Sequence, residues 1–166
     1  MHRLDRAFDW ILHALALLAA AIFGLTAVLI SVNVVLRNLG MPTIYGLLDA
    51  VEFGLLGATF LGAPWVLSKG AHVSVDLITG VVAERSRRRL ARLTAGVGLV
   101  VSAITAFYGA EATIVSAGRG SMIRTAFTIP EWWILVIVPV AFTILALEFL
   151  RQAIRPPTAP AGAPEL

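Results

Sequence analysis

Between Asp9 and Arg37 the chain runs for 27 residues without a Lys, Arg, Asp or Glu. Coiled as a helix, that run is about 40 Å long, where about 30 Å crosses the hydrocarbon of a bilayer. Three further runs repeat the theme. Gly46 to Ser68 carries acids only near its start, Leu93 to Val115 only Glu111 near its end, and Trp132 to Leu150 only Glu148 near its end. The reading is an all-α integral membrane protein with four transmembrane helices, over 11–36, 46–68, 93–115 and 132–150, in a single domain covering 1–155. Composition agrees, since 58% of the 166 residues are hydrophobic and 14% charged, against about 25% charged in a soluble domain. Arg3 and Arg6 before an apolar run resemble the opening of a signal peptide, but Ile11 to Leu36 is too long for its apolar core and reads as an uncleaved first span. The tail 156–166, "PPTAPAGAPEL", is rich in Pro and Ala with nothing to bury, and disorder is expected there.

Basic residues divide unevenly about these spans. Ten of the 13 fall before span one, between spans two and three, or after span four; three fall in the other two connections. Lys and Arg accumulate on the cytoplasmic side, so both termini and the connection from Lys69 to Arg92 are expected inside. Trp10 and Trp65 then mark the inner interface, and Tyr45, Trp132 and Trp133 the outer one. Because the basic residues are spent on orientation, the net charge of +3 does not point to nucleic acid.

Span two places a small residue at every fourth position, Gly46, Ala50, Gly54, Ala58 and Gly62; span three does so with Gly98, Ser102, Ala106 and Ala110, and span one more weakly with Ala16, Ala20 and Gly24. Such stripes let helices approach closely, within the four-helix unit or against another subunit. The charges in the spans are off-centre. Asp49 and Glu52 share a face near the start of span two, and Arg37 closes span one on the same side of the membrane. The expected arrangement pairs Arg37 with Asp49 or Glu52, fastening spans one and two, with a contact to a partner's cation as the alternative.

Little here supports catalysis. The His residues are His2, His13 and His72, and only His13 is near a span, so no facing pair is available to a haem. Cys is absent, and no phosphate loop or nucleophile elbow is found. No metal or other cofactor is expected. In "KGAHVSVDLI", Lys69 to Ile78, His72 and Asp76 could share a helical face, but further ligands are missing nearby. Val75, Ile78, Val81 and Val82 recur at helical spacing among polar positions, which predicts an amphipathic helix over 74–90 on the inner surface. Ser74 is its candidate N-cap, and Arg85, Arg87, Arg88, Arg89 and Arg92 lie toward anionic headgroups.

Three segments together, "VNVVLRNLG", "FLGAPWVLSKGAHVSVDLI" and "FTIPEWWILVIVPVAFTILAL", resemble the small membrane subunit, DctQ type, of tripartite ATP-independent periplasmic (TRAP) transporters. The strongest element is a Gly-x-His-hydrophobic-x-Val-Asp pattern, matched by Gly70, His72, Val73, Val75 and Asp76. The resemblance implies a non-catalytic subunit of the bacterial inner membrane. It would pack beside a large membrane subunit that imports an organic acid with a sodium gradient, the acid being delivered by a periplasmic solute-binding protein. Many members of that family have a Trp and a Glu opening span two; here the region reads "YGLLDAVEF", with Asp49 near the acidic position and Glu52 additional. The small subunit of tripartite tricarboxylate transporters has a comparable layout. A stand-alone homo-oligomeric exporter and a membrane enzyme are the readings from other classes.

Overall fold

A computed structural model describes residues 2–69 and 84–154, with side chains from Arg6 to Lys69 and from Arg89 to Ile154. Among these described residues, four helices are long and apolar enough to cross a membrane. The first, α1 (His2–Asn38), has 37 residues, about 55 Å by helix rise, so it must tilt or protrude from a bilayer of ordinary thickness. Leu12, Ala19 and Thr26 are its buried positions. Their spacing of seven puts them on one seam, and that seam meets α2 (Leu47–Ser68). Here the small residues of α2 do their packing: a Cβ on Gly54 would stand 3.4 Å from Ile22 and Thr26, and one on Gly62 would stand 3.5 Å from Ala19. Ala58, between them, is fully buried. Ala50 and, on α1, Ala20 and Gly24 are exposed instead, so the stripes read from sequence are only partly the contacting faces. A strict four-residue step drifts around a helix of 3.6 residues per turn, so one end of each stripe leaves the seam.

The third long helix, α3 (Glu84–Arg119), absorbs residues 84–92 as its first turns. The expected break between a surface helix ending at 90 and a span beginning at 93 is therefore not observed; the remainder of that surface helix, 74–83, lies outside the described residues. Both α1 and α3 stop at a left-handed glycine. Gly40 has φ 70° and Gly120 φ 65°. In each case two backbone bonds reach back over the last turn, Gly40 N–H to Arg37 and Met41 N–H to Leu36, Gly120 N–H to Ala117 and Ser121 N–H to Ser116. This doubly bonded stop satisfies carbonyls that a helix end otherwise leaves unpaired.

After Gly120 the chain forms a short antiparallel ladder, β1 (Met122–Arg124) against β2 (Thr128–Pro130), with Ile123 opposite Ile129. Apart from this ladder every element among the described residues is a helix, as the all-α reading expects, and the ladder itself was not foreseen. Three-residue strands are too short to show a period of two in a sequence, and the ladder is held from outside, by Tyr45 and Asp49. Pro130 then opens α4 (Glu131–Leu135), followed by α5 (Ile137–Ile154). Hydrogen bonds continue across the join, Val136 N–H to Trp132 and Val140 N–H to Val136. The interruption has a local cause: Pro139 has no N–H to give to the carbonyl of Leu135.

The packing order is α1, α2, α5, α3. α5 lies between α2 and α3, touching α2 through Gly57 against Ile137 and through the rings of Phe60 and Phe142. Its contact with α3 is the most extensive among the described elements. Gly98 of α3 carries the Phe149 ring directly on its backbone, and Gly109 lies under Val138 and Pro139. Ala95 and Ser102 are buried on the same face of α3, with Ala106 and Ala110 partly covered. α1 and α3 thus form the two edges of a row.

Candidate interaction surfaces

At the end of the row away from the termini, the connection between α1 and α2 and the β-hairpin are tied to each other. Asp49 Oδ2 accepts the Ala126 N–H at 2.6 Å. The Tyr45 hydroxyl donates to the Ala126 carbonyl at 3.3 Å, and its ring meets Phe127 edge-on. Gly46, at φ 71°, sits so close beneath Phe127 that a Cβ there would come within 2.5 Å of the ring. Only a residue without a side chain meets both demands. Asn33 Oδ1 accepts the Ile44 N–H, which anchors the connection to α1. At the hairpin base the Ser116 hydroxyl donates to Glu131 Oε2 at 2.7 Å, and the Glu131 N–H donates to the Ser121 carbonyl.

Asp49 is therefore engaged within the chain, but not by Arg37. Among the described residues Arg37 forms no ion pair with Asp49 or Glu52, and both Arg37 and Glu52 are exposed. The expected fastening of spans one and two through Arg37 is corrected on this point. The hairpin supplies a backbone N–H to Asp49, and that donor was invisible in a sequence whose loop gave no sign of returning over span two. Glu111 is likewise exposed, on the side of α3 that faces away from α5.

The other end of the row holds a polar cluster that the sequence patterns did not single out. Glu148, 3% exposed, accepts from Gln152 Nε2 at 2.9 Å and lies 3.7 Å from Arg151. Gln152 also donates to the Leu67 carbonyl of α2, and Arg151 pairs with Asp9 of α1. Arg151 further lies over the Phe8 ring. His13 Nδ1 is 2.8 Å from the Asp9 carbonyl, and its ring meets Trp65 edge-on. One signal was available: Glu148, Arg151 and Gln152 stand at i, i+3 and i+4, a single helical face, near the end of an apolar run.

Gly70, His72, Val73, Val75 and Asp76 lie outside the described residues, as do the side chains of Arg85, Arg87 and Arg88 and the tail 156–166. Arg89 and Arg92 are exposed on the first turns of α3. No group of three or more metal-ligating side chains occurs among the described residues.

A family model described as "Tripartite ATP-independent periplasmic transporters, DctQ component" matches residues 26–158. No curated protein and no solved structure gives a significant match.

Proposed function

Because the chain belongs to the DctQ family of tripartite ATP-independent periplasmic transporters, we propose that it packs against the large membrane subunit of such a system and stabilises it during uptake. The family works in systems that also contain a large membrane subunit and a binding protein. The finer reading is sodium-coupled import of an organic acid through the large subunit, after delivery by a periplasmic solute-binding protein. In it this chain lies in the bacterial inner membrane with both termini inside, and residues 74–90 meet anionic lipid headgroups. The family match, running from the middle of α1 through all later helices, carries the proposal. Arg37 and Glu52 support it as candidates for intersubunit pairing, since each is a charge exposed by a membrane helix and without an ion pair among the described residues.

Affinity purification of the chain from its native membrane in mild detergent, with mass spectrometry of what accompanies it, tests the proposal. A polytopic partner in stoichiometric amount is expected. A homo-oligomer free of other membrane proteins would overturn it.

A further inference from the structure

From the edge of the row, we infer that the outward face of α3 around Glu111 receives a transmembrane helix of the large subunit, one bearing a Lys or Arg at the depth of Glu111. This inference rests on the auxiliary-subunit reading above and adds the face, the depth and the charge of the contact.

The face opposite α5 is a continuous stripe. Val97, Val100, Ile104, Phe107, Glu111 and Ile114 follow one another at steps of three and four, the spacing of a helix-packing seam. Phe107 and Ile114 are 67% and 71% exposed, so no other described residue covers the stripe there. Lipid alone suits such a surface until Glu111. The apolar stretch between Arg92 and Arg119 is centred near Ala106, which puts Glu111 about 8 Å from its middle by helix rise, still within the hydrocarbon. An ionisable side chain at that depth is expected to face protein and to be paired. Among the described residues Glu111 has no ion pair.

The local shape points the same way. Phe107, Ala110, Glu111 and Ile114 stand at i, i+3, i+4 and i+7 and outline a shallow depression on the helix, closed on one side by Val115. Four residues at those positions are what receives a side-chain knob from a neighbouring helix. With an apolar rim and a carboxylate at one corner, this hole fits a long basic side chain, whose methylenes lie on Phe107 and Ile114 while its charge reaches Glu111. The opposite edge gives the contrast. From Trp10 to Leu36, α1 exposes apolar side chains and no Asp, Glu, Lys or Arg, as a lipid-facing surface should.

A second copy of this chain does not supply the knob. Its described cations, Arg6, Arg37, Lys69, Arg89, Arg92, Arg119, Arg124 and Arg151, all lie at helix ends or in connections, and none falls within a span at the level of Glu111. The partner helix therefore comes from a different polypeptide.

The test uses the full chain expressed with its large subunit. A benzophenone amino acid is placed at position 114 on the stripe or at position 28 on α1, and membranes are irradiated. An adduct of the chain with the large subunit is expected from position 114, at least fivefold above that from position 28. Glu111→Lys should cut the adduct from position 114 at least fivefold, and Glu111→Gln less, with both variants present in the membrane at wild-type level. If Glu111→Lys lowers that level, the Glu111→Gln comparison alone decides the charge: an unchanged adduct overturns the pairing. Co-purification of the two subunits without an adduct from position 114 overturns the face while leaving the auxiliary-subunit reading intact. An adduct between two copies of this chain overturns the choice of partner. Failure of the two subunits to co-purify at all removes the reading on which the inference stands.

Discussion

Asp49 holds the hairpin through one short bond to a backbone N–H, and a carboxylate accepting such a bond contributes more than a neutral acceptor. Asp49→Ala leaves the Ala126 N–H without that partner and is expected to destabilise the chain by about 1–3 kcal/mol, with Asp49→Asn losing less because an acceptor remains. Thermal unfolding in detergent measures both, and wild-type stability in the two variants would deny the bond its role. At the other end, burial ranks the residues. Glu148 is almost wholly buried while Asp9 is half-exposed, so Glu148→Ala should cost about 1–3 kcal/mol and Asp9→Ala no more than about 1 kcal/mol. The reverse order would show that the pair to α1, and not the bonds to Gln152, organises the cluster. Gly98 offers a test of packing. Gly98→Leu drives a side chain into the Phe149 ring and should lower stability by about 1–3 kcal/mol; combined with Phe149→Ala, the loss should be smaller than the sum of the two.

Among the elements, the spans were legible because their signal is long and additive: a run of some twenty apolar residues is what a bilayer crossing demands and what a soluble domain rarely contains. The four-residue periodicity likewise marked the α2 stripe, and the structure uses its last three members, Gly54, Ala58 and Gly62, against α1. What escaped was short or non-local. The hairpin has three residues per strand, and its anchors, Tyr45 and Asp49, are some eighty positions away in sequence. The glycine stops at 40 and 120 were equally open to view, but a glycine in a loop does not announce φ until the backbone is fixed. Gly120→Ala should cost about 1 kcal/mol, read again from thermal unfolding, since an L-residue is strained at positive φ. The elements also give a test of orientation. The sequence contains no Cys, so single replacements need no background removed. Thr125→Cys in the hairpin should react with a membrane-impermeant maleimide on intact cells, and Arg89→Cys at the start of α3 only after permeabilisation; the opposite result would invert the proposed topology.

Seen whole, the molecule is a row whose edges keep large apolar surfaces uncovered. A partner that binds only the folded row must raise its unfolding temperature, by mass action. The chain purified with its large subunit is therefore expected to unfold at a higher temperature than the chain alone in the same detergent; equal temperatures would indicate no stabilising contact. The packing order also bears on biogenesis. Ribosomes deliver the spans as α1, α2, α3 and then α5, but α5 is the one that sits between α2 and α3. The α1–α2 hairpin can settle as soon as it is made, whereas α3 enters the bilayer with its main packing partner still unsynthesised. Its buried serines and its bare glycine backbone must wait for the last helix to be threaded into the gap. A transcript cut short before that helix would leave a protein that is inserted, oriented and unable to assemble, with α3 as the segment that quality-control proteases meet first.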